Sequence, residues 1–248
     1  MALTLRLLRT SLMGLVVAAA LAVIGFADIA SGSKNNTIRI AVGSSAAACC
    51  VGLYAAIERG YFAGEGIDVI LIPSTTTPVE TFIRQGEADL GITSAADVVV
   101  YRSRGLGYRA VAAVASQATR PAVRSPLGDD PDAGDGSNAV YVASDIEISK
   151  NAGVLRLALT ALAEGSKWSV AHPADAARIL INDDPAEPGP TGEVAGETGT
   201  GTTAARASGR WGKLSSSDFV DLETSLARRG VIKTAPAPDD LYTNALLP

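Results

Sequence analysis

The chain has 248 residues, a net charge of −5, 47% hydrophobic residues and 5% aromatic residues. This composition is typical of one large or two small α/β domains with an aliphatic core, and the absence of a Lys/Arg block from the part predicted to fold argues against a nucleic-acid partner. One histidine, His172, and two adjacent cysteines are too few for a His/Cys zinc site and argue against a histidine-dependent hydrolase.

The N-terminal residues have the features of a secretory signal. Arg6 and Arg9 precede an apolar run over residues 12–26, which small residues follow. This order predicts export with cleavage after Ala27 or Gly32. The alternative is an uncleaved anchor, because about 20 apolar residues span a bilayer. Both interpretations place the rest of the chain outside the cytoplasm, on the periplasmic or extracellular side of the membrane.

Residues 37–117 alternate between strand and helix patterns. Strands are predicted over residues 37–42, 67–72, 89–92 and 110–115, because these segments are short, apolar and rich in β-branched residues. The first intervening helix is predicted to end near Arg59, with Leu53, Ala56 and Ile57 on one face. The second is predicted to begin with a capping box, Thr77 to Glu80, and the third with Ser94 as its cap. The alternation predicts an α/β fold with a mainly parallel sheet.

The regular pattern stops near Arg120. Residues 121–138 are rich in Pro, Gly, Asp and Ser and are predicted to form a loop. A strand at residues 141–143 and a helix containing Leu155 and Leu159 follow. Residues 185–209 have low complexity and are predicted to be disordered. A last helix is predicted to pack through Phe219, Leu222 and Leu226.

Three strand-to-helix loops are the candidate ligand-binding residues. They cover residues 43–50, 73–77 and 93–94, and ligands of parallel α/β sheets bind beyond the carboxyl ends of the strands. Backbone N–H groups at helix N-termini favour anionic or polar ligands there. Capping alone would also explain Thr77 and Ser94. The candidate contacts are Ser44, Ser45, Cys50, Thr75, Thr76, Thr77, Thr93 and Ser94.

The adjacent Cys49 and Cys50 fall at the mouth of this predicted site. A reactive thiol and a strained vicinal disulfide are two possible functional roles. Two small side chains buried at a helix start is the favoured interpretation, because nothing cationic nearby in the sequence would lower a thiol pKa. No catalytic residue, metal ligand or cofactor is predicted.

Several segments resemble, in the same order, the solute-binding proteins of the nitrate/sulfonate/taurine and thiamine-precursor ABC importers. They are IRIAV (38–42), GLYAAIERGYF (52–62), EGIDV (65–69), QGEADLGI (85–92) and VAAV (111–114), and the resemblance continues through much of residues 141–185 and 211–248. It implies a type II periplasmic binding fold, in which two α/β lobes clamp a small solute and deliver it to a membrane permease driven by a separate ATPase. In that family the three loops named above line the cleft on the first lobe.

The middle of the chain departs from the family pattern. Residues 120–138 stand where the family has a second lobe of roughly a hundred residues, a domain-sized segment. We therefore expect a signal or anchor at 1–32, the first part of lobe one at 37–117, a linker replacing lobe two at 118–140, and a return to lobe one at 141–248. The second lobe is expected to be reduced or missing.

Three functions are compatible with these features. The first is the extracytoplasmic solute-binding component of an importer for a small anionic or heterocyclic solute. The second is a non-binding remnant or a protein-interaction lobe, which the reduced second lobe favours. The third is a thiamine-pyrimidine biosynthetic enzyme like some relatives of this fold, which the absence of lysine and histidine from the three loops disfavours.

Overall fold

Five strands form one sheet in the computed structural model, which describes residues 36–43, 50–114, 139–183 and 210–248. The strand order is β2-β1-β3-β5-β4. The strands are β1 (Asn36–Gly43), β2 (Ile67–Ser74), β3 (Leu90–Ser94), β4 (Tyr108–Ala113) and β5 (Ala139–Ser144). The helices are α1 (Val51–Glu58), α2 (Tyr61–Gly64), α3 (Val79–Gln85), α4 (Ala95–Ser103), α5 (Asp145–Lys150), α6 (Ala152–Ala171), α7 (Pro173–Asp183), α8 (Ser217–Arg228) and α9 (Pro238–Leu241).

The first three strands form the parallel part of the sheet, as predicted. β1 pairs in parallel with β2 along its whole length, from Asn36 opposite Ile67 to Gly43 opposite Ser74. On its other side β1 pairs in parallel with β3. The three carboxyl ends therefore lie at one edge of the sheet, from which the chain passes into α1, α3 and α4.

The fifth strand runs against the others. β5 pairs antiparallel with both β3 and β4, so four of the five strands share one direction. Ala113, at the end of β4, lies opposite Val140, near the start of β5. Because the chain re-enters the sheet at the edge where it left, the returning strand has to run backwards. The mainly parallel sheet is confirmed, and the antiparallel insertion is the feature that alternation of elements could not predict.

Apolar side chains cover both faces of the sheet. Along β1, Ile38 and Ile40 point to one face and Ala41 to the other, as the period of two in a strand requires. Helices α1 and α6 cover the first face, where Leu53, Leu155 and Leu159 are fully buried. Helices α3, α4 and α8 cover the second face. The segment from β5 onward thus belongs to the same sheet and core as residues 36–114.

Local helix signals were mostly predictive. Gly86 ends α3 in the left-handed conformation with a φ of 70°, and Ser94 caps α4. Two predictions were wrong. Ile57 is 38% exposed, because it lies in the last turn of α1 beyond the packed face. The predicted capping box does not form, because α3 begins at Val79 and the side chain of Glu80 turns to Thr93 instead.

Some predictions fall on residues that are not described. The signal or anchor over 1–32, the low-complexity segment 185–209 and Ser44, Ser45 and Cys49 lie outside the described residues. So does the predicted linker 118–140, except for its last two residues, which begin β5. The domain boundaries drawn from the sequence therefore stay predictions. The single sheet of the described residues and the chain length of 248 are consistent with a reduced second lobe. Within the described ranges, no helix combines the length and apolarity that a membrane crossing requires.

A cluster of charges ties α4, β4, α5 and α9 together. Asp145 Oδ2 accepts a hydrogen bond from Arg102 Nη1 at 2.6 Å, and its Oδ1 accepts one from Arg109 Nε at 2.8 Å. Arg102 also reaches Asp240 at 3.1 Å. Burial alone would raise the pKa of Asp145, but the hydrogen bonds and charges of the two arginines outweigh it and lower this pKa.

We expect Asp145→Asn to lower the free energy of unfolding by about 1–2 kcal/mol at pH 7, since the cluster is only partly buried. The lowered pKa makes the native ion pairs stabilising above the unfolded pKa of aspartate, about 3.9. This stabilisation is lost as the pH falls through the native pKa. Urea unfolding at pH 7 and pH 3 measures both effects.

In the control Asp175→Asn, which removes an exposed ion pair with Arg178, the change in the free energy of unfolding should stay under about 0.5 kcal/mol. Equal losses in the two variants would contradict the prediction.

Candidate functional site

The carboxyl edge of the parallel strands forms the candidate site. Gly43 at the end of β1 lies opposite Ser74 at the end of β2, and β3 ends beside them at Ser94. Two described connections leave this edge, the loop from Ser74 to α3 and the direct passage from β3 into α4. The connection after β1 carries Ser44 and Ser45, whose positions lie outside the described residues.

The loop after β2 presents its hydroxyl groups to solvent. Thr75 and Thr76 are exposed, and Thr77 is half-buried. The carbonyl of Thr77 accepts a hydrogen bond from the hydroxyl of Ser74, which closes the loop into a tight turn. Thr75 and Thr76 at the tip of this turn are therefore free to contact a ligand without a change in the fold.

Ser94 sits at the start of α4 and is committed to capping. Its Oγ accepts a hydrogen bond from the backbone N–H of Asp97 at 3.1 Å and donates one to Asp97 Oδ2 at 2.7 Å. The residue is only half-buried, so part of Ser94 remains accessible at this edge. Ser94 thus stands at the positive end of the α4 dipole, where an anionic group would be favoured.

Thr93 belongs to a buried polar cluster directly beneath this edge, which we call the acid pair cluster and define as Glu80, Thr93 and Asp97. The Thr93 side-chain oxygen lies 2.6 Å from Glu80 Oε1 and 3.1 Å from Asp97 Oδ2. All three residues are at most 4% exposed. Burial, the largest cause, raises the pKa of Glu80, and the charge of Asp97 raises it further, while hydrogen bonds with Thr93 and with the backbone of Glu80 itself oppose both.

Cys50 lies in the core at the start of α1. It is fully buried and packs in the same cluster as Leu53. The structure therefore brings Thr75, Thr76, Thr77 and Ser94 to one accessible edge. The side chains of Thr93 and Cys50 lie beneath that edge, within the protein.

The buried roles of Glu80 and Asp97 were not predicted from the sequence, which indicated only that helices begin near Thr77 to Glu80 and at Ser94. A signal was present, because Glu80 stands between the buried Val79 and Ile83 on α3, and Asp97 precedes three buried valines. An acid on the apolar side of a short helix indicates a buried polar partner.

The opposite edge of the sheet holds a shallow pocket of about 240 Å³. Its lining includes Arg39, whose Nε donates to Asp89 Oδ2 at 3.0 Å, and Glu147, which accepts hydrogen bonds from Asn151. Arg39 is thus paired with Asp89, and Glu147 is paired with Asn151. In the described part of the chain, no group of three or more His, Cys, Asp or Glu side chains is placed to hold a metal ion.

Comparison with solved structures identifies the architecture. A Candida albicans gene product with the generic periplasmic binding protein fold superposes with a TM-score of 0.61 and 10% identity, covering 86% of this chain and 97% of the other. The sulfonate-binding protein SsuA of Methylobacillus flagellatus gives 0.58 at 11% identity, covering 86% and 93%. SsuA of Escherichia coli gives 0.53 at 10% identity, covering 85% and 99%. The chain has the periplasmic binding protein fold.

The sequence relationship covers only part of the chain. Residues 48–124 match the family described as NMT1/THI5 like. The formylaminopyrimidine-binding protein of Halalkalibacterium halodurans is 41% identical over 76 residues, which is 30% of this chain. The matched segment spans about a fifth of that protein, 21% of its length. The predicted resemblance to this group of periplasmic binding proteins is confirmed, and the matched residues contain the loops after β2 and β3.

Proposed function

We propose that this chain is the extracytoplasmic solute-binding component of an ABC importer, with a small anionic or heterocyclic solute of the sulfonate or thiamine-precursor type. The observation that carries the proposal is the accessible edge formed by Thr75, Thr76 and Ser94 at the carboxyl ends of parallel strands. The printed names of the relatives support the solute class, since two are sulfonate-binding proteins and one is a formylaminopyrimidine-binding protein.

The chemistry of this edge suits hydrogen-bond recognition of oxygen atoms. The hydroxyls of Thr75 and Thr76 can each donate one hydrogen bond. At Ser94, whose hydroxyl proton goes to Asp97, the first backbone N–H groups of α4 carry the positive end of a helix dipole. A sulfonate or nitrate offers several acceptor oxygens, and an aminopyrimidine offers ring nitrogens and an amine. The named relatives are binding proteins, so we assign the edge to binding rather than to catalysis. Export by residues 1–32 and delivery to a membrane permease are part of this proposal.

A single lobe, without a second lobe that closes over the solute, is expected to bind weakly. Small ligands gain most of their affinity from burial in a cleft or cavity. A single open lobe should therefore bind with a dissociation constant of about 1 mM, which corresponds to a binding free energy of about −4 kcal/mol.

Intact-mass measurement of the exported protein would show whether the signal is removed, as the export proposal expects.

A titration followed by amide NMR tests the proposal. The full chain is titrated with taurine, an alkanesulfonate, nitrate and a formylaminopyrimidine up to tens of millimolar. We expect saturable shifts of the amides of Thr75, Thr76 and Ser94 with at least one of these solutes. Shifts confined to the opposite edge, near Arg39 and Asp89, or no saturable shift with any solute, would overturn the proposal.

Matched threonine variants locate the contact. Thr75→Val and Thr76→Val remove exposed hydroxyls and should weaken binding about fivefold each, the loss of about 1 kcal/mol typical of a hydrogen bond. Thr37→Val is the control, because Thr37 is an exposed threonine at the other end of β1. It should leave the dissociation constant unchanged. Equal weakening by all three variants would mean that the solute does not bind at the candidate edge.

A further inference from the structure

The acid pair cluster does not have enough hydroxyl protons for its hydrogen bonds. Thr93 Oγ1 lies within hydrogen-bond distance of two carboxyl groups, Glu80 at 2.6 Å and Asp97 at 3.1 Å. A hydroxyl carries a single proton and can donate only once. If both carboxyls were ionised, one of these two oxygen pairs would be a contact between two acceptors. A buried contact of that kind costs free energy.

A proton on one carboxyl removes the conflict, and the geometry indicates which one. Asp97 already accepts a hydrogen bond from Ser94 Oγ at 2.7 Å, and it lies in the first turn of the nine-residue α4. Both features favour a carboxylate at Asp97. Glu80 has Thr93 as its one hydroxyl partner among the described residues and makes the shorter contact. The extra proton therefore belongs between Glu80 and Thr93.

We propose that Glu80 is a neutral carboxylic acid in the folded protein at neutral pH, and that it donates its proton to Thr93, which in turn donates to Asp97. The three residues then form one directed chain of hydrogen bonds from α3 through the end of β3 to the start of α4. Glu80 is thereby a positioning residue. It holds the Thr93–Ser94 turn at the candidate edge, and the inference does not depend on which solute binds there.

The groups around Glu80 agree with this assignment. The titratable side chains that face it are Asp97 and Tyr101 on α4 and Tyr108 on β4. Burial, the largest cause, raises the pKa of both tyrosines, so they stay neutral. Tyr108 donates its hydroxyl proton to the backbone carbonyl of Asp97 at 3.2 Å, so it supplies no proton to the carboxyls. Arg104 lies over the ring of Tyr101, with its guanidinium 5.7 Å from the ring centre.

The proposal sets the sign of a pH dependence. Burial raises the pKa of Glu80 in the folded state above its ordinary value of 4.5. The folded chain thus binds a proton that the unfolded chain has lost, and the stabilisation is complete below pH 4.5. It is lost progressively as the pH rises through the folded-state pKa. Between pH 4.5 and the folded-state pKa of Glu80, the unfolding equilibrium constant should increase about tenfold per pH unit.

Glu80→Gln provides the test, because the amide donates to Thr93 as the neutral acid does but does not titrate. Urea unfolding of the full chain is measured between pH 4.5 and pH 8. Relative to Glu80→Gln, we expect the wild type to lose stability as the pH rises. Its unfolding equilibrium constant should increase by up to about tenfold per pH unit. Glu58→Gln is the control at an exposed glutamate, and its pH profile should parallel the wild type.

Three results would overturn the proposal. The wild type and Glu80→Gln could have parallel pH profiles. Asp97→Asn, rather than Glu80→Gln, could remove the slope, which would place the proton on Asp97. A direct measurement needs no variant, since the side-chain carboxyl carbon of Glu80 can be followed by ¹³C NMR in the wild-type chain. A carboxyl that is already ionised at pH 6 would refute a neutral Glu80, even if the variants did not fold.

Discussion

Gly165→Ala is expected to lower the free energy of unfolding by about 3 kcal/mol, at the upper end of the usual cost of overpacking a core. A Cβ at this position would lie 2.2 Å from the carbonyl oxygen of Gly52 and 2.7 Å from the backbone nitrogen of Ala56. Both contacts are with backbone atoms of α1, which cannot rotate away as a side chain can. Helices α1 and α6 would have to move apart, and the core between them would lose contacts.

Gly153→Ala is the matched control on the same helix. A Cβ at Gly153 would meet no atom within 4 Å. Alanine has the higher helix propensity, so this variant should be more stable by about 0.5–1 kcal/mol. Chemical denaturation of both variants measures the two effects. Similar small changes at Gly165 and Gly153 would show that α1 and α6 are not packed backbone against backbone.

Phe219→Ala is expected to cost about 3–5 kcal/mol, the range for removal of a buried phenylalanine ring. Phe219 is 1% exposed, and its ring stacks on Tyr242 with 5.5 Å between ring centres. It belongs to the cluster that α4 and α8 form over the second face of the sheet. The loss would show that the C-terminal segment stabilises the same lobe as residues 36–114.

Val220→Ala, one position further along α8, separates this effect from a change in the helix itself. Val220 is 47% exposed, and alanine favours helix formation over valine. Its free energy of unfolding should change by less than about 0.5 kcal/mol. If the two neighbouring variants were equally mild, α8 would not be packed on the sheet as described.

Signals that act over a few residues were readable in the sequence. The alternation of Ile38, Ile40 and Ala41 defined β1 and its two faces, and Gly86 and Ser94 marked the end of α3 and the start of α4. Each of these depends on backbone geometry and side-chain periodicity within about one helical turn or strand. The ordered segments over residues 38–114 also indicated the fold family.

The tertiary structure alone decided which of the candidate residues are accessible. The sequence predicts all eight candidate contacts in loops, but Thr93 and Cys50 are buried, whereas Thr75 and Thr76 are exposed. Exposure depends on how helices lie over a strand end, and the loop sequence does not record that. The expectation that Ile57 faces the core failed for the same reason, because the position of α6 determines which part of α1 is covered.

The sequence by itself determined the strand and helix segments of this protein and the edge at which their loops meet. The direction of β5 and the acid pair cluster were decided by the folded chain. β5 runs antiparallel because the chain returns beside the end of β4. Glu80 and Thr93 meet across 13 residues only because α3 packs on β3. Both features arise from contacts between elements, and a pattern read along a single element contains no information about its neighbour in space.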